Sequence, residues 1–160
     1  MIKELLELLE RDHTLTPSQL SVMLGKPEAE ICAAIKKLET DKVIVKYHTV
    51  INWDKVCSDT VTAVIAVKIT PQREVGFDSI AERIYRFPEV KSLYLMSGSF
   101  DLLVTIEGSN LKEIAQFVAT RLSTIEGVVS TTTHFMLKKY KETGVIINDK
   151  EEDRRLMVTP

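Results

Sequence analysis

Residues 16–40 read TPSQLSVMLGKPEAEICAAIKKLET and predict two helices joined by a glycine turn. Thr16 can cap the first helix, with a glutamine three residues later that can reach back to it, and Pro17 suits the first helical position. Gly25 ends that helix, and Pro27 opens the next one only two residues later. Two helices joined by so short a turn are typical of a helix-turn-helix.

The flanking residues extend this pattern. Residues 2–9 carry leucine and isoleucine at helical spacing, which predicts a helix before the pair. Apolar β-branched residues at 43–45 and 50–51 predict a strand or short hairpin after it. We therefore expect a winged helix-turn-helix domain over residues 1–51, followed by a linker at 52–60.

The second helix of such a pair fits the DNA major groove, while the first braces it and touches the backbone. The reading helix here is about residues 27–40. Between residues 36 and 48, four lysines stand against one glutamate and one aspartate, a local charge of +2 that suits phosphate contacts. The same lysines could equally be the solvated face of an amphipathic helix. The basic residues on and around the reading helix are Lys26, Lys36, Lys37, Lys42 and Lys46.

From residue 61 onward the sequence contains two similar halves. Each half predicts a strand, a helix and a second strand, with strands at 61–69, 90–96, 102–106 and 128–137 and helices at 77–84 and 111–125. A shift of 38 positions places Ile80 on Val118, Ile84 on Leu122 and Val90 on Val128. The order βαββαβ predicts a ferredoxin-like domain over residues 61–138 and an α+β protein.

Such a domain has a four-stranded sheet with both helices on one face. Its other face is bare. The first strand carries alanine, valine, isoleucine and threonine on both of its faces, which predicts that a second copy covers the bare face. We therefore expect a homodimer.

Composition narrows the class of protein. The 160 residues include 21 Lys plus Arg against 23 Asp plus Glu, and the net charge of −2 excludes a bulk polycation. No apolar run approaches the roughly 18 residues of a membrane span, and the N-terminus lacks a signal-peptide pattern, so we expect a cytoplasmic protein. Two cysteines, Cys32 and Cys57, and three scattered histidines lack ligand spacing. We expect both cysteines to be small buried hydrophobes, with no metal site, no cofactor and no catalytic residue.

The order of these motifs over about residues 1–145 resembles the Lrp/AsnC family of feast/famine regulators. The matching motifs are Leu24-Gly25, Ile35-Lys36-Lys37-Leu38-Glu39, Val43-Ile44, Gly98-Ser99-Phe100-Asp101, Gly127-Val128 and Leu137-Lys138. The resemblance implies a transcription regulator of double-stranded DNA. It further implies that the C-terminal, RAM-type domain dimerises, often assembles into octamers, and binds an amino acid between dimers.

The resemblance also implies an effector site at the turn containing Gly98, Ser99 and Asp101 and at Thr131 and Thr133 of the last strand. Asp101 could accept from an ammonium group, and a threonine hydroxyl could meet a carboxylate. The alternative is that the turn residues only shape a hairpin and the threonines are ordinary strand residues.

Two features depart from the family pattern. Where family members commonly have a serine cap and arginines on the reading helix, this chain has Pro27, Ala33 and Ala34. Phosphate contacts would then fall to Lys26, Lys36, Lys37 and Lys46, and base contacts to Glu30 or Cys32. The charged tail, residues 139–160, could pack on a neighbouring subunit or be disordered.

Three other interpretations remain open at this point. Sirohaem decarboxylases resemble the same two-domain plan, and His134 and Tyr94 could serve such an enzyme. The alanines on the reading helix also allow an amino-acid-binding protein that has lost sequence-specific DNA binding. A three-helix winged module can also serve as a protein-interaction domain.

Overall fold

The computed structural model describes residues 1–56, 60–70 and 76–147. They form two compact units, Met1–Val50 and a second that begins at Ile51. Cys57 and the end of the predicted tail lie outside the described residues. No helix in the described part of the chain is long and apolar enough to cross a membrane.

The first unit contains three helices, α1 (Ile2–Arg11), α2 (Pro17–Leu24) and α3 (Glu28–Thr40). The predicted cap of α2 is confirmed: Thr16 Oγ1 accepts from the Gln19 backbone N–H at 3.3 Å, and Gln19 Oε1 accepts from the Thr16 N–H at 2.8 Å. Apolar residues from all three helices meet in one small core, whose buried members are Leu5, Leu9, Leu20, Ile31 and Leu38.

The strand predicted near residues 43–51 is not formed. The chain from Val43 to Asn52, all of it described, follows α3 without pairing to another strand. The backbone N–H groups of Val43 and Ile44 both donate to the Leu38 carbonyl, at 2.9 and 3.0 Å, and Ile44 packs on the core. β-Branched residues favour a strand only where a partner strand is present, and in the described part of the chain none pairs with them.

The second unit has the predicted βαββαβ order. Its elements are β1 (Val61–Ile69), α4 (Asp78–Tyr85), β2 (Val90–Leu95), β3 (Leu102–Gly108), α5 (Leu111–Phe117) and β4 (Val128–Phe135). The antiparallel sheet has the order β2-β3-β1-β4. Alternate residues of β1 and β3 pack against both helices, and this layer is the core of the unit. The α5 helix ends in a π-helical turn, Val118–Leu122.

The two halves of this unit share the same corner between helix and strand. The Val90 N–H donates to the Phe87 carbonyl and the Val128 N–H to the Ile125 carbonyl, both at 3.0 Å. The second corner requires a glycine, because Gly127 has φ of 94° and a Cβ there would lie 2.6 Å from Cδ1 of Ile80. The repeat seen in the sequence is therefore a repeat in structure.

A short hairpin follows the sheet, made of β5 (Lys141–Glu142) and β6 (Val145–Ile146). The side-chain amide of Asn52 donates to the Ile147 carbonyl at 2.9 Å. This bond joins the hairpin to the start of the second unit, just before a 3₁₀ turn at Trp53–Lys55.

Candidate functional site

The helix pair of the first unit is held by its turn. Gly25 has φ of 61°, and the Ser21 hydroxyl donates to the Lys26 carbonyl. A left-handed residue at this point is what allows a connection of only three residues between α2 and α3. The turn therefore fixes the direction of α3 relative to α2 and presents Lys26 at the surface.

The outward face of α3 can be read from its buried face. Ile31 and Leu38 point into the core. The opposite side of the helix therefore carries residue 29 and the residues four, seven and eleven positions after it. Those residues are Ala29, Ala33, Lys36 and Thr40, and all four are exposed. The hydroxyl of Thr40 donates to the Lys36 carbonyl at 2.8 Å, so its methyl group remains for external contacts.

The sequence-predicted DNA-binding residues are exposed with one exception. Cys32 is only partly exposed, which also corrects the expectation that it is fully buried. Lys26, Glu30, Lys36, Lys37 and Lys46 are exposed. In the described part of the chain, none of these four lysines lies within 4.0 Å of a carboxylate. Their charges are available to an external anion.

The chain after α3 carries a contact that the sequence did not indicate. The Tyr47 hydroxyl donates to Glu39 Oε1 at 2.9 Å, and the His13 ring stacks on the Tyr47 ring with centroids 6.1 Å apart. Partial burial, followed by the hydrogen bond and charge of Glu39, raises the pKa of Tyr47. Tyr47 thus contacts α3 on one side and the α1–α2 connection on the other.

In the second unit, Asp101 ends the turn between β2 and β3. Its N–H donates to the Val67 carbonyl at 3.0 Å, and its carboxylate Oδ2 accepts from the Ile69 N–H at 2.8 Å. The register of β1 against β4 shifts between Lys68 and Ile69, so the carboxylate satisfies an N–H at an irregular point of the strand. Asp101 therefore supports the sheet.

Gly98 and Ser99 of the same turn are exposed. The predicted threonines lie elsewhere. Thr131 is paired with Val67 and Thr133 with Ile65, so both side chains point to the helix-covered face. The Thr131 hydroxyl lies 3.4 Å from that of Ser123. The strand β3 starts just after Asp101, and β1 lies between β3 and β4. Two strand spacings, roughly 10 Å, therefore separate β4 from β3. One chain does not bring the turn and the threonines into a single cleft.

The sheet face away from the helices is the open face. It carries small and neutral side chains at its centre, with Lys68, Glu107 and His134 around them. Its central members are Thr62, Val64, Ala66, Leu103, Thr105 and Thr132.

Comparisons with known proteins agree with this architecture. Residues 62–146 match the family model described as the Lrp/AsnC ligand binding domain. An uncharacterized HTH-type transcriptional regulator of Bacillus subtilis, YugG, is 49% identical over 158 residues, 98% of this chain and 95% of that protein. The regulator FL11 of Pyrococcus furiosus is 29% identical and covers 88% of this chain and 90% of its own length.

Solved structures show the same fold. A transcriptional regulator from Neisseria meningitidis in complex with L-Met superposes with a TM-score of 0.71 at 23% identity, covering 92% of this chain and 95% of that one. The proteins in these comparisons are regulators and not enzymes. The decarboxylase interpretation also lacks a joint site, because Tyr94 and His134 lie on the two edge strands, roughly 14 Å apart.

Proposed function

The chain belongs to the Lrp/AsnC family of transcriptional regulators, and from this premise we propose how its own residues bind DNA, a second copy and an effector. It is a ligand-responsive regulator that binds DNA. We infer that it acts in the cytoplasm, the compartment that holds the chromosomal DNA in the organisms of its relatives, Bacillus subtilis and Pyrococcus furiosus. The observation that carries the proposal is the exposed surface of α3, which combines Lys36 and Lys37 with the small side chains of Ala29 and Ala33.

The first step concerns DNA. Lys26, Lys36, Lys37 and Lys46 bind phosphates, since each is exposed and lacks a carboxylate within 4.0 Å in the described chain. Ala29 and Ala33 face the groove between them and are small enough for the helix backbone to approach the bases. Glu30 lies at the margin of this face. The half-buried Cys32 is the weakest of the predicted base readers.

The second step concerns assembly. The open face carries uncharged side chains at its centre, among them Val64, Ala66 and Leu103, and we propose that it pairs with the same face of a second copy about a two-fold axis. Two heads per dimer then meet DNA half-sites about one helical turn apart, or a multiple of that. Because each head carries only a modest positive patch, binding depends on this avidity. Further assembly into octamers belongs to the same proposal.

The third step concerns the effector. We propose that the turn containing Gly98, Ser99 and Asp101 binds an amino acid together with residues of a neighbouring copy. Asp101 Oδ2 is engaged with β1, and its second oxygen is the acceptor for an ammonium group. Thr131 and Thr133 contribute from another subunit. The L-Met complex of the Neisseria meningitidis regulator supports an amino-acid ligand of this kind.

DNA binding is tested by titrating a duplex from the region upstream of its own gene. We expect a salt-sensitive complex, and Lys36→Ala with Lys37→Ala should reduce the slope of log K against log salt by about 2 for each head. Lys112→Ala, on α5 of the second unit, is the matched control and should leave the slope unchanged. Absence of a salt-sensitive complex at micromolar protein would reject the proposal.

Effector binding is tested by thermal unfolding in the presence of each of the twenty amino acids. A ligand that binds only the folded protein raises its melting temperature by mass action. We expect at least one amino acid to do so. If none shifts the transition, the turn is not an amino-acid site.

A further inference from the structure

The segment after α3 carries two basic side chains and, among the described residues, is not part of a hairpin. Lys46 and His48 flank Tyr47, and all three lie in a stretch without regular structure. A free segment of this kind would lose conformational entropy on binding phosphate, which lowers affinity. Something must restrict it if Lys46 is to contribute.

Tyr47 is the residue that does so. Ile44 is the last residue of this segment that packs on the core of the first unit. Among residues 45–50, the hydrogen bond and the ring contact that the structure describes are both made by Tyr47, to Glu39 and to His13. The hydrogen bond is made at the hydroxyl end of the side chain, and the His13 contact at the face of the ring. Together they tether Tyr47 to α3 and to the α1–α2 connection, and so restrict the residues on either side of it.

Glu39, which accepts the hydrogen bond from Tyr47, lies among the lysines of α3. Glu39 lies three residues after Lys36 on α3, so their side chains are neighbours on the helix surface. A carboxylate among phosphate-binding lysines weakens attraction to DNA. The hydrogen bond from Tyr47 gives this carboxylate a role, since it tethers the residue after Lys46 to the helix that carries Lys36.

We propose that Tyr47, anchored by Glu39 and His13, is a positioning residue for DNA binding that adds Lys46 to the phosphate-contacting surface of α3. The inference rests on the proposed DNA-binding function and extends it. Tyr47 acts through Lys46 and does not itself touch DNA.

The first test compares Tyr47→Phe with the unchanged protein on the upstream duplex, between about 50 and about 200 mM salt. The phenylalanine keeps the ring stacking and loses the hydrogen bond. We expect the salt slope to fall by about 1 for each head, as when one phosphate contact is lost. Tyr85→Phe, at an exposed tyrosine of α4, is the matched control.

The second test separates position from charge. Glu39→Gln and Glu39→Ala remove the same negative charge, but only the glutamine keeps an acceptor for the Tyr47 hydroxyl. We expect Glu39→Gln to bind DNA more tightly than Glu39→Ala and with the larger salt slope. The difference should disappear when both are combined with Tyr47→Phe, which is the double-mutant criterion for a pairwise interaction. A purely structural role for Tyr47 would not move the salt slope.

The outcomes are distinct. If the unchanged protein binds the duplex and Tyr47→Phe keeps its salt slope, the inference is overturned while the DNA-binding function stands. Equal binding by Glu39→Gln and Glu39→Ala overturns it as well, and this pair remains decisive if Tyr47→Phe fails to fold. If the unchanged protein shows no salt-sensitive binding, the proposed function itself fails, and the inference fails with it.

Discussion

The lysines of the first unit and Asp101 of the second unit are connected to their own folds in different ways. Lys36 and Lys37 extend from α3 into solvent and have no carboxylate within 4.0 Å in the described chain. Asp101, in contrast, uses one carboxylate oxygen to bind the Ile69 N–H of the neighbouring strand. Substitutions of the lysines should change binding with little effect on stability, whereas substitutions of Asp101 should change both.

This difference has a functional consequence. In the proposed effector site, a ligand at Asp101 would act on a group that already supports the irregular point of β1, so its binding would change the hydrogen bonding of the sheet. An anion at Lys36 only adds charge to a helix surface. We expect effector binding to the second unit to change the DNA affinity of the first unit. The coupling free energy should be roughly 1 to 3 kcal/mol.

The largest expected effect concerns the open face. Ala66→Arg places a charge at the centre of the sheet, between Leu103 and Thr132. In a two-fold interface the charge is introduced twice, and burying unpaired charges should weaken the dimer at least about a hundredfold. Sedimentation should then show a monomer. Ala119→Arg, at an exposed alanine after α5, is the control; if both variants stay dimeric, the open face is not the interface.

The next effect compares two glycines, one from each unit. Gly127→Ala forces a side chain into a position 2.6 Å from Ile80 and at positive φ, which should destabilise the second unit by about 2–5 kcal/mol. Gly25→Ala has positive φ but open space, so about 1–2 kcal/mol is expected. Denaturant unfolding measures both. Equal losses of stability in the two variants would mean that Ile80 moves away from the added methyl group at little cost.

A smaller effect separates the two roles of Asp101. Asp101→Ala leaves the Ile69 N–H without its acceptor and should cost about 1–3 kcal/mol. Asp101→Asn keeps an acceptor and removes the charge, so it should be nearly as stable as the unchanged protein. We expect Asp101→Asn to lose the thermal shift caused by the amino-acid effector. An unaltered shift would show that the Asp101 charge does not bind the ligand.

Most of the fold follows from local sequence signals. The cap at Thr16 and the turn at Gly25 depend on residues within a few positions of each other, and the structure contains both as predicted. The βαββαβ order follows from alternation and from the repeat at 38 positions. The prediction of a strand near residues 43–51 was wrong, because strand formation needs a partner strand that local sequence does not specify. The π-helical turn at Val118–Leu122 likewise has no local signal.

The sites were harder to predict than the fold. Exposure of the lysines follows from helical periodicity, but the contact of Tyr47 with His13 joins residues 34 positions apart in the chain. The bond between Asp101 and Ile69 spans 32 positions. Such contacts depend on how elements pack. The sequence also placed Thr131 and Thr133 with Asp101 only by resemblance, and their side chains lie on the helix-covered face of another strand.

The smallest expected effect compares one exposed carboxylate from each unit. Hydrogen bonds from Thr14 lower the pKa of Asp12, and hydrogen bonds from Ser109 lower that of Glu113. A lowered pKa means that the folded protein favours the charged form, so the stabilising contribution is present above the ordinary value, 4.5 for Glu113. It is lost as the pH falls through the lowered value.

Ser109→Ala removes the hydroxyl donor to Glu113 but leaves the backbone N–H of residue 109, which also donates to this carboxylate. The pKa of Glu113 should therefore rise only part of the way toward its ordinary value. Thr14→Ala should act in the same way on Asp12, because its backbone N–H remains a donor as well. Carboxyl chemical shifts measured against pH report both groups, each variant serving as the control for the other unit. A pKa that does not move in either variant would show that the hydroxyl bonds contribute nothing beyond the backbone in either unit.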